Sequence, residues 1–358
     1  MIPDSVRRLW LPLFLLLTGL ITALATNRLL FELFFPTLAW LGRPFPAVIF
    51  SLLLALAGWL LWRRLAWPPA LLLPLLLNAF SLLPTDLNPT RTAVILAASL
   101  WLTAVCHFAH DSDRTWLRWG PLLVVTALLP VYLLTVSHAV GRADSFEFQV
   151  VAPQMGIAHP TGYPLFLLLG KLFTYVPISS VAWRLNFAAT LYGLVALSLL
   201  FVSAYGLLKR PLPPLLGVIL IGLTPTFWRE SIEAEVYTLH AIFVAAALWL
   251  TLRLIGFGEK DVTRSDAEES QAYAERSRSR FTERKAEKKV TDYALRSTHY
   301  APITVALAFT IGLGLTNHLT TLFLLPPAGI GVLLLLYGEW QRSGTLALPL
   351  TDWRYWLK

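Results

Sequence analysis

The stretch Pro164-Leu165-Phe166-Leu167-Leu168-Leu169-Gly170-Lys171-Leu172-Phe173-Thr174-Tyr175-Val176-Pro177 decides how this chain is threaded. It is apolar enough to leave water, but its core from Leu165 to Val176 is only about a dozen residues long. A helix needs about 20 residues to cross a ~30 Å hydrocarbon core. With Lys171 inside it and a proline at each end, the stretch reads as an interfacial or re-entrant helix. Leu29 to Leu41, which contains Glu32 and Pro36, takes the same reading.

Outward from there, apolar blocks alternate with short polar breaks. The 358 residues are 56% hydrophobic and 14% charged, too little polar surface for a soluble domain of this size, so a lipid bilayer is the solvent. The pattern predicts an all-α polytopic membrane protein with about ten transmembrane helices, starting near residues 9, 45, 66, 92, 117, 185, 212, 236, 301 and 319. Arg7-Arg8 and the following apolar run imitate a secretory signal ending at Ala23-Leu24-Ala25. The run is long for a signal core, so an uncleaved first span is expected.

If the Leu165 to Val176 stretch does not cross and the N-terminus is cytoplasmic, most basic residues fall inside. Of the 29 Lys and Arg, only Arg28, Arg43, Arg91, Arg142, Lys171, Arg184 and Arg229 fall outside, the asymmetry expected of membrane proteins. Counting the stretch as a span would invert everything after it and expose the charged loop at 259–298. That loop, rich in Ser, Arg and Glu and poor in large aliphatics, reads as a solvated cytoplasmic linker. The net charge of +8 is explained by loop placement, and no nucleic-acid partner is expected. Cys106 has no partner, so no disulfide forms within the chain.

With this topology the outer face collects Asp144 and Glu147, then His159 and Tyr163, then Arg184 with Asn186, then Arg229, Glu230, Glu233, Glu235 and Tyr237, and finally Asn317-His318. Such groups at the ends of spans cost free energy unless paired or wet, which suggests a polar cavity. Asp144 and Glu147, three apart, share one side of a helix, as a base and its orienting partner would, although acidic pairs at this spacing also occur on solvated helix starts. His159 suits a general acid, a ligand or a turn residue ahead of a helix. Arg184 could grip a phosphate with its planar fork or snorkel to lipid headgroups. Glu235 at a helix start is favoured by the dipole alone, and Asn317-His318 could be a plain hairpin turn. His107 and His110 beside Asp111 and Asp113 form no closed ligand set, so no metal site is read there. No GxxxxGK[ST] loop or GxGxxG occurs, so no nucleotide and no cofactor is expected, and a metal requirement is left open.

Asp144-Ser145-Phe146-Glu147-Phe148, followed by Gly156-Ile157-Ala158-His159-Pro160-Thr161-Gly162-Tyr163-Pro164-Leu165, resembles the signature of the protein O-mannosyltransferase-like family of GT-C glycosyltransferases, in its bacterial membrane members. Trp183-Arg184-Leu185-Asn186, Ala234-Glu235-Val236-Tyr237-Thr238-Leu239 and Gly314-Leu315-Thr316-Asn317-His318-Leu319 extend the resemblance in the family's order, from about Leu117 to Tyr337. It implies a GT-C-like core at 117–340 with interfacial helices in the first large outer loop. Residues 1–116, with about four spans, are unassigned, and 341–358 form a tail. It also implies a polyprenyl-phosphate-linked sugar donor, a protein or glycan acceptor, a plasma (inner) membrane location with the site on the extracytoplasmic side, and Asp144 as base on the acceptor hydroxyl. Glu147, His159 and Tyr163 would shape the pocket. Phe146, Thr161 and His240 depart from the family's usual small residue, Pro and Asn. The rival readings are a transporter or flippase, which needs polar groups near the bilayer midplane, and a catalytically silent scaffold.

Overall fold

A computed structural model describes residues 4–65, 68–83, 88–110, 113–255 and 302–343. The charged loop read at 259–298 and the tail beyond Ser343 lie outside the described residues. Among the described residues there are helices and connecting turns and no strand. Seven helices among the described residues are long and apolar enough to cross a membrane, or up to eight if one bent pair forms a single span. The chain is an all-α polytopic membrane protein, divided into two compact units, Met1–Trp116 and Leu117–Lys358.

In the first unit, α1 (Asp4–Leu29) runs on through a π-helical turn, Leu30–Phe34, giving one apolar span from Pro12 to Phe34. The start of the Leu29 to Leu41 stretch is therefore the end of this helix and not a separate interfacial one. The break falls at Phe35 (φ −133°, ψ 57°), because the ring of Pro36 disfavours helical backbone in the residue before it. After α2 (Pro44–Leu65), the span expected near residue 66 is instead a 3-10 helix, Pro69–Asn78, leading into the short α3 (Ala79–Leu82). Pro69 and Pro74 remove amide donors, and the pair stays below crossing length. The unit continues in α4 (Pro89–His110). Asn78, fully buried, ties the 3-10 segment to α4 by donating from Nδ2 to Ser99 Oγ at 2.9 Å.

The second unit begins along α5 (Asp113–Thr135) and continues through α6 (Ala143–Gln154) and α7 (Pro164–Thr174). At 11 residues, α7 has the sub-spanning length read from its sequence. Then come α8 (Val181–Leu208), α9 (Leu212–Gly222), α10 (Pro225–Ile232), α11 (Val236–Leu254), α12 (Pro302–Asn317), a 3-10 turn at Leu319–Leu324 and α13 (Leu325–Ser343). The span expected near 212 is bent: α9 and α10 meet at 66° where Thr224, ahead of Pro225, leaves helical backbone. The described part of the segment expected near 301 is the apolar helix α12.

Helix α8 packs along α11, and α6 and α7 dock on its first turns. Phe148, Phe166, Leu185, Ala188, Val236 and Leu239 are among the side chains that bury this contact. Close approach needs small residues: a Cβ at Gly193 would sit 2.7 Å from Ser231 Oγ of α10. One end of the unit is tied by buried amides. Asn186, at the start of α8, reaches Ser137 after α5 and Ala234 before α11, and Asn317, at the end of α12, reaches Val236.

Candidate functional site

The polar groups gather at that tied end. Helix α6 buries Ser145, Phe148, Gln149 and Ala152, the 3–4 spacing of one helix face. Asp144, at the edge of that face, is left exposed, and Glu147 is half-buried. Phe148 meets Phe166 of α7 edge-on at 4.9 Å, which fixes α6 against α7. Gln149 locks the helix further, accepting the Gly141 amide at 2.8 Å and donating to Asn186 Oδ1 at 2.8 Å.

Glu147 holds the next loop. Its carboxylate accepts the His159 backbone amide at 2.7 Å and the His159 Nδ1–H at 2.6 Å. The His159 ring bond holds the Glu147 carboxyl below its usual range, and the same bond raises His159 above an ordinary imidazole. Gly162 (φ 85°) and Tyr163 (φ 45°) then turn the chain through left-handed backbone, which a tyrosine adopts only at a cost. The turn brings the Tyr163 hydroxyl to 3.2 Å from His159 Nε2 and its ring edge-on to Phe148 at 5.4 Å. Burial, followed by the charge of Asp144, keeps the Tyr163 phenol protonated above its usual value.

Glu235 enters from the start of α11 and accepts the Ser145 hydroxyl at 2.7 Å. Its burial raises the carboxyl more than that hydrogen bond lowers it. His318 closes the wall, with its ring 6.1 Å from Tyr163 and 5.7 Å from Tyr237. Asp144, Glu147 and His159 each offer a ligand atom within 4.8 Å of one another, a spacing a divalent cation could bridge. Glu147 and His159 already spend those atoms on each other. Among the described residues Asp144 is the carboxylate of this group that makes no side-chain hydrogen bond.

Asp144, Glu147, His159, Tyr163, Glu235, Tyr237 and His318 are thus brought together. Asn186 and Asn317 are fully buried behind them as ties between chain segments. Arg184 points its fork at the backbone, donating to the carbonyls of Ile178 at 2.8 Å, Ser179 at 3.1 Å and Thr174. It therefore staples the α7–α8 turn. Arg229 stays exposed and pairs with Glu230 at 2.8 Å. Sequence reasoning passed over Ser145 and Gln149, although two polar residues four apart on an otherwise apolar helix face were a usable signal. It also passed over Thr320, whose bond to His240 spans 80 positions of the chain.

Helices of membrane-spanning length around a cluster of carboxylates, imidazoles and phenols at one end of a bundle define a polytopic membrane protein with a polar site at the ends of its spans. Residues 144–265, which begin at the exposed aspartate, match the family model described as the protein O-mannosyl-transferase TMEM260 N-terminal domain, a protein O-mannosyltransferase-like family. The chain is 37% identical over 135 residues to the protein O-mannosyl-transferase TMEM260 of Mus musculus, covering 37% of this chain and 19% of that protein. It is 33% identical over 123 residues to the tmem260 protein of Dictyostelium discoideum, covering 34% of this chain and 15% of that one. The likeness therefore spans less than a fifth of either relative's length. No solved structure matches the chain.

Proposed function

We propose that this chain is a membrane glycosyltransferase of the GT-C type that moves a sugar from a polyprenyl-phosphate-linked donor to an acceptor hydroxyl on the extracytoplasmic face. The reading is carried by Asp144: Glu147 is held by His159 and Glu235 by Ser145, which leaves Asp144 as the exposed carboxylate open to a proton, at the start of the segment related to O-mannosyl-transferases. The acceptor O–H gives its proton to Asp144 while its oxygen bonds the anomeric carbon. The bond from that carbon to the phosphate oxygen breaks, and its electron pair leaves with the polyprenyl phosphate.

A cation facing the leaving phosphate would lower the barrier. With the Arg184 fork spent on carbonyls, that role falls to Arg229, whose side chain is 69% exposed beside Glu230. Purified protein incubated with polyprenyl-phosphate sugars and an acceptor should release polyprenyl phosphate. No release from any such donor, in protein shown to be folded, would overturn the reading. Reporter fusions at Ser145 and Ser279 should report opposite sides of the membrane.

A further inference from the structure

After α12, His318, Thr320 and Thr321 meet His240 of α11, and the direction of the bonds joining these two imidazoles and two hydroxyls follows from the Thr320 amide. His318 caps the 3-10 turn Leu319–Leu324, its Nδ1 accepting the Thr320 backbone amide at 3.2 Å. A backbone amide only donates, so this nitrogen presents a lone pair and carries no proton. The Thr320 hydroxyl lies 2.7 Å from the same Nδ1, and with no proton on that nitrogen the hydroxyl is the donor between them. Having spent that proton, Thr320 Oγ1 receives one from His240 Nε2 at 3.1 Å, and His240 Nδ1 accepts the Thr321 hydroxyl at 3.2 Å. The ring proton of His318 therefore sits on Nε2, which has no hydrogen-bond partner among the described residues.

We propose that His240 and Thr320 are positioning residues that lock His318 in its neutral Nε2–H tautomer, so that His318 donates a hydrogen bond to a hydroxyl of the transferred sugar. The inference rests on the reading of the site as one of sugar transfer. A sugar hydroxyl fits better than a phosphate for two reasons. The donor is uncharged, and the groups around it are the Tyr163, Tyr237 and His240 rings, with the acids Asp144, Glu147 and Glu235 acting on neighbouring Tyr163. In the proposed mechanism the phosphate is matched by Arg229, whereas the rings around His318 suit the face of a pyranose. Burial also holds His318 below an ordinary imidazole, which keeps it neutral.

Nitrogen-15 spectroscopy of histidine-labelled full-length protein in lipid nanodiscs should find His318 protonated at Nε2 alone between about pH 6 and 8. A proton on Nδ1 in that range overturns the lock. Thr320→Val should loosen it, so that the donor KM becomes pH-dependent near the ordinary imidazole pKa of ~6.5, and Thr320→Ser should restore the flat profile. A purely structural hydroxyl would give the same pH profile in all three proteins, which would refute the relay. His318→Phe keeps a ring but removes the donor, and should raise the donor KM about two- to tenfold with kcat little changed. An equal loss of inhibition by polyprenyl phosphate without sugar would overturn the hydroxyl assignment, as would an unchanged KM. Absence of transfer in the parent protein would instead defeat the proposed activity, because the tautomer is read without turnover.

Discussion

Each unit of this protein holds a carboxylate against a basic side chain at the same distance, and the two pairs live under opposite conditions. In the first unit, Arg28 Nε meets Glu32 at 2.6 Å with side chains 17% and 5% exposed, and Arg28 Nη1 also donates to the Ser81 carbonyl at 2.8 Å. In the second, His159 meets Glu147 at 2.6 Å with side chains 36% and 32% exposed, beside the open carboxylate of Asp144. Charges shut inside a bundle are satisfied by each other and by nearby protein groups, so their work is to hold helices in register. Charges left a third exposed next to a free acid can meet a ligand. Exposure and spare bonding capacity, more than the presence of charge, separate the buried pair from the one placed in the proposed site.

The largest effect should come from Asp144→Asn, which keeps size and polarity and removes the carboxylate proposed as the base. Sugar transfer should fall by about 10²–10⁴-fold while expression and donor binding persist. Glu147→Gln should lose less, because Glu147 is engaged in holding the His159 loop. Near-normal transfer by folded Asp144→Asn would erase the contrast between the two pairs, since neither would then do chemistry.

The opposite pole of the comparison is probed by Arg28→Ala, which strands Glu32 in the interior. A loss of about 3–5 kcal/mol of unfolding stability is expected, seen as a marked drop in thermal midpoint, with transfer per folded molecule unchanged. A variant as stable as the parent would mean that the buried pair holds nothing in register. A smaller effect is expected at Arg184→Lys, where an ammonium cannot reach three carbonyls spread over Thr174 to Ser179. Stability should fall by about 1–3 kcal/mol while donor KM stays the same. A raised KM with intact stability would return Arg184 to the role of phosphate clamp.

The long spans were legible because only block length and apolarity were needed to find them. The shapes of the segments near 66 and 212 were not, because an apolar count does not register how Pro69, Pro74 and Pro225 set the local backbone. At the site, the acids and imidazoles could be listed from spaced motifs, but their division of labour could not. Arg184 has backbone carbonyls for partners, and these leave no mark in side-chain sequence. Asn186 looks like a ligand-facing amide in the string of letters, yet it is buried and shared between Gln149, Ser137 and the Ala234 amide. Likewise, nothing in the sequence joins His240 to Thr320, 80 positions away.

The finest test concerns the exposed pair itself, through its dependence on pH. Glu147 titrates below its ordinary value of 4.5, chiefly through the His159 ring bond, and His159 titrates above its ordinary 6.5, chiefly through Glu147. A carboxylate with a lowered pKa contributes stability that is present above its ordinary value and fades as the pH falls through the lowered one. An imidazole with a raised pKa contributes stability that is full below its ordinary value and fades as the pH rises through the raised one. Both contributions are complete only between about pH 4.5 and 6.5. The thermal midpoint of the parent should exceed that of Glu147→Gln most in this window, and the difference should narrow on either side. It should be the smallest of the effects, because solvent screens a pair exposed to this degree. Glutamine can still accept the His159 backbone amide, so a difference that stays level from acid to alkaline pH would assign the role of Glu147 to some contact other than the charged ring.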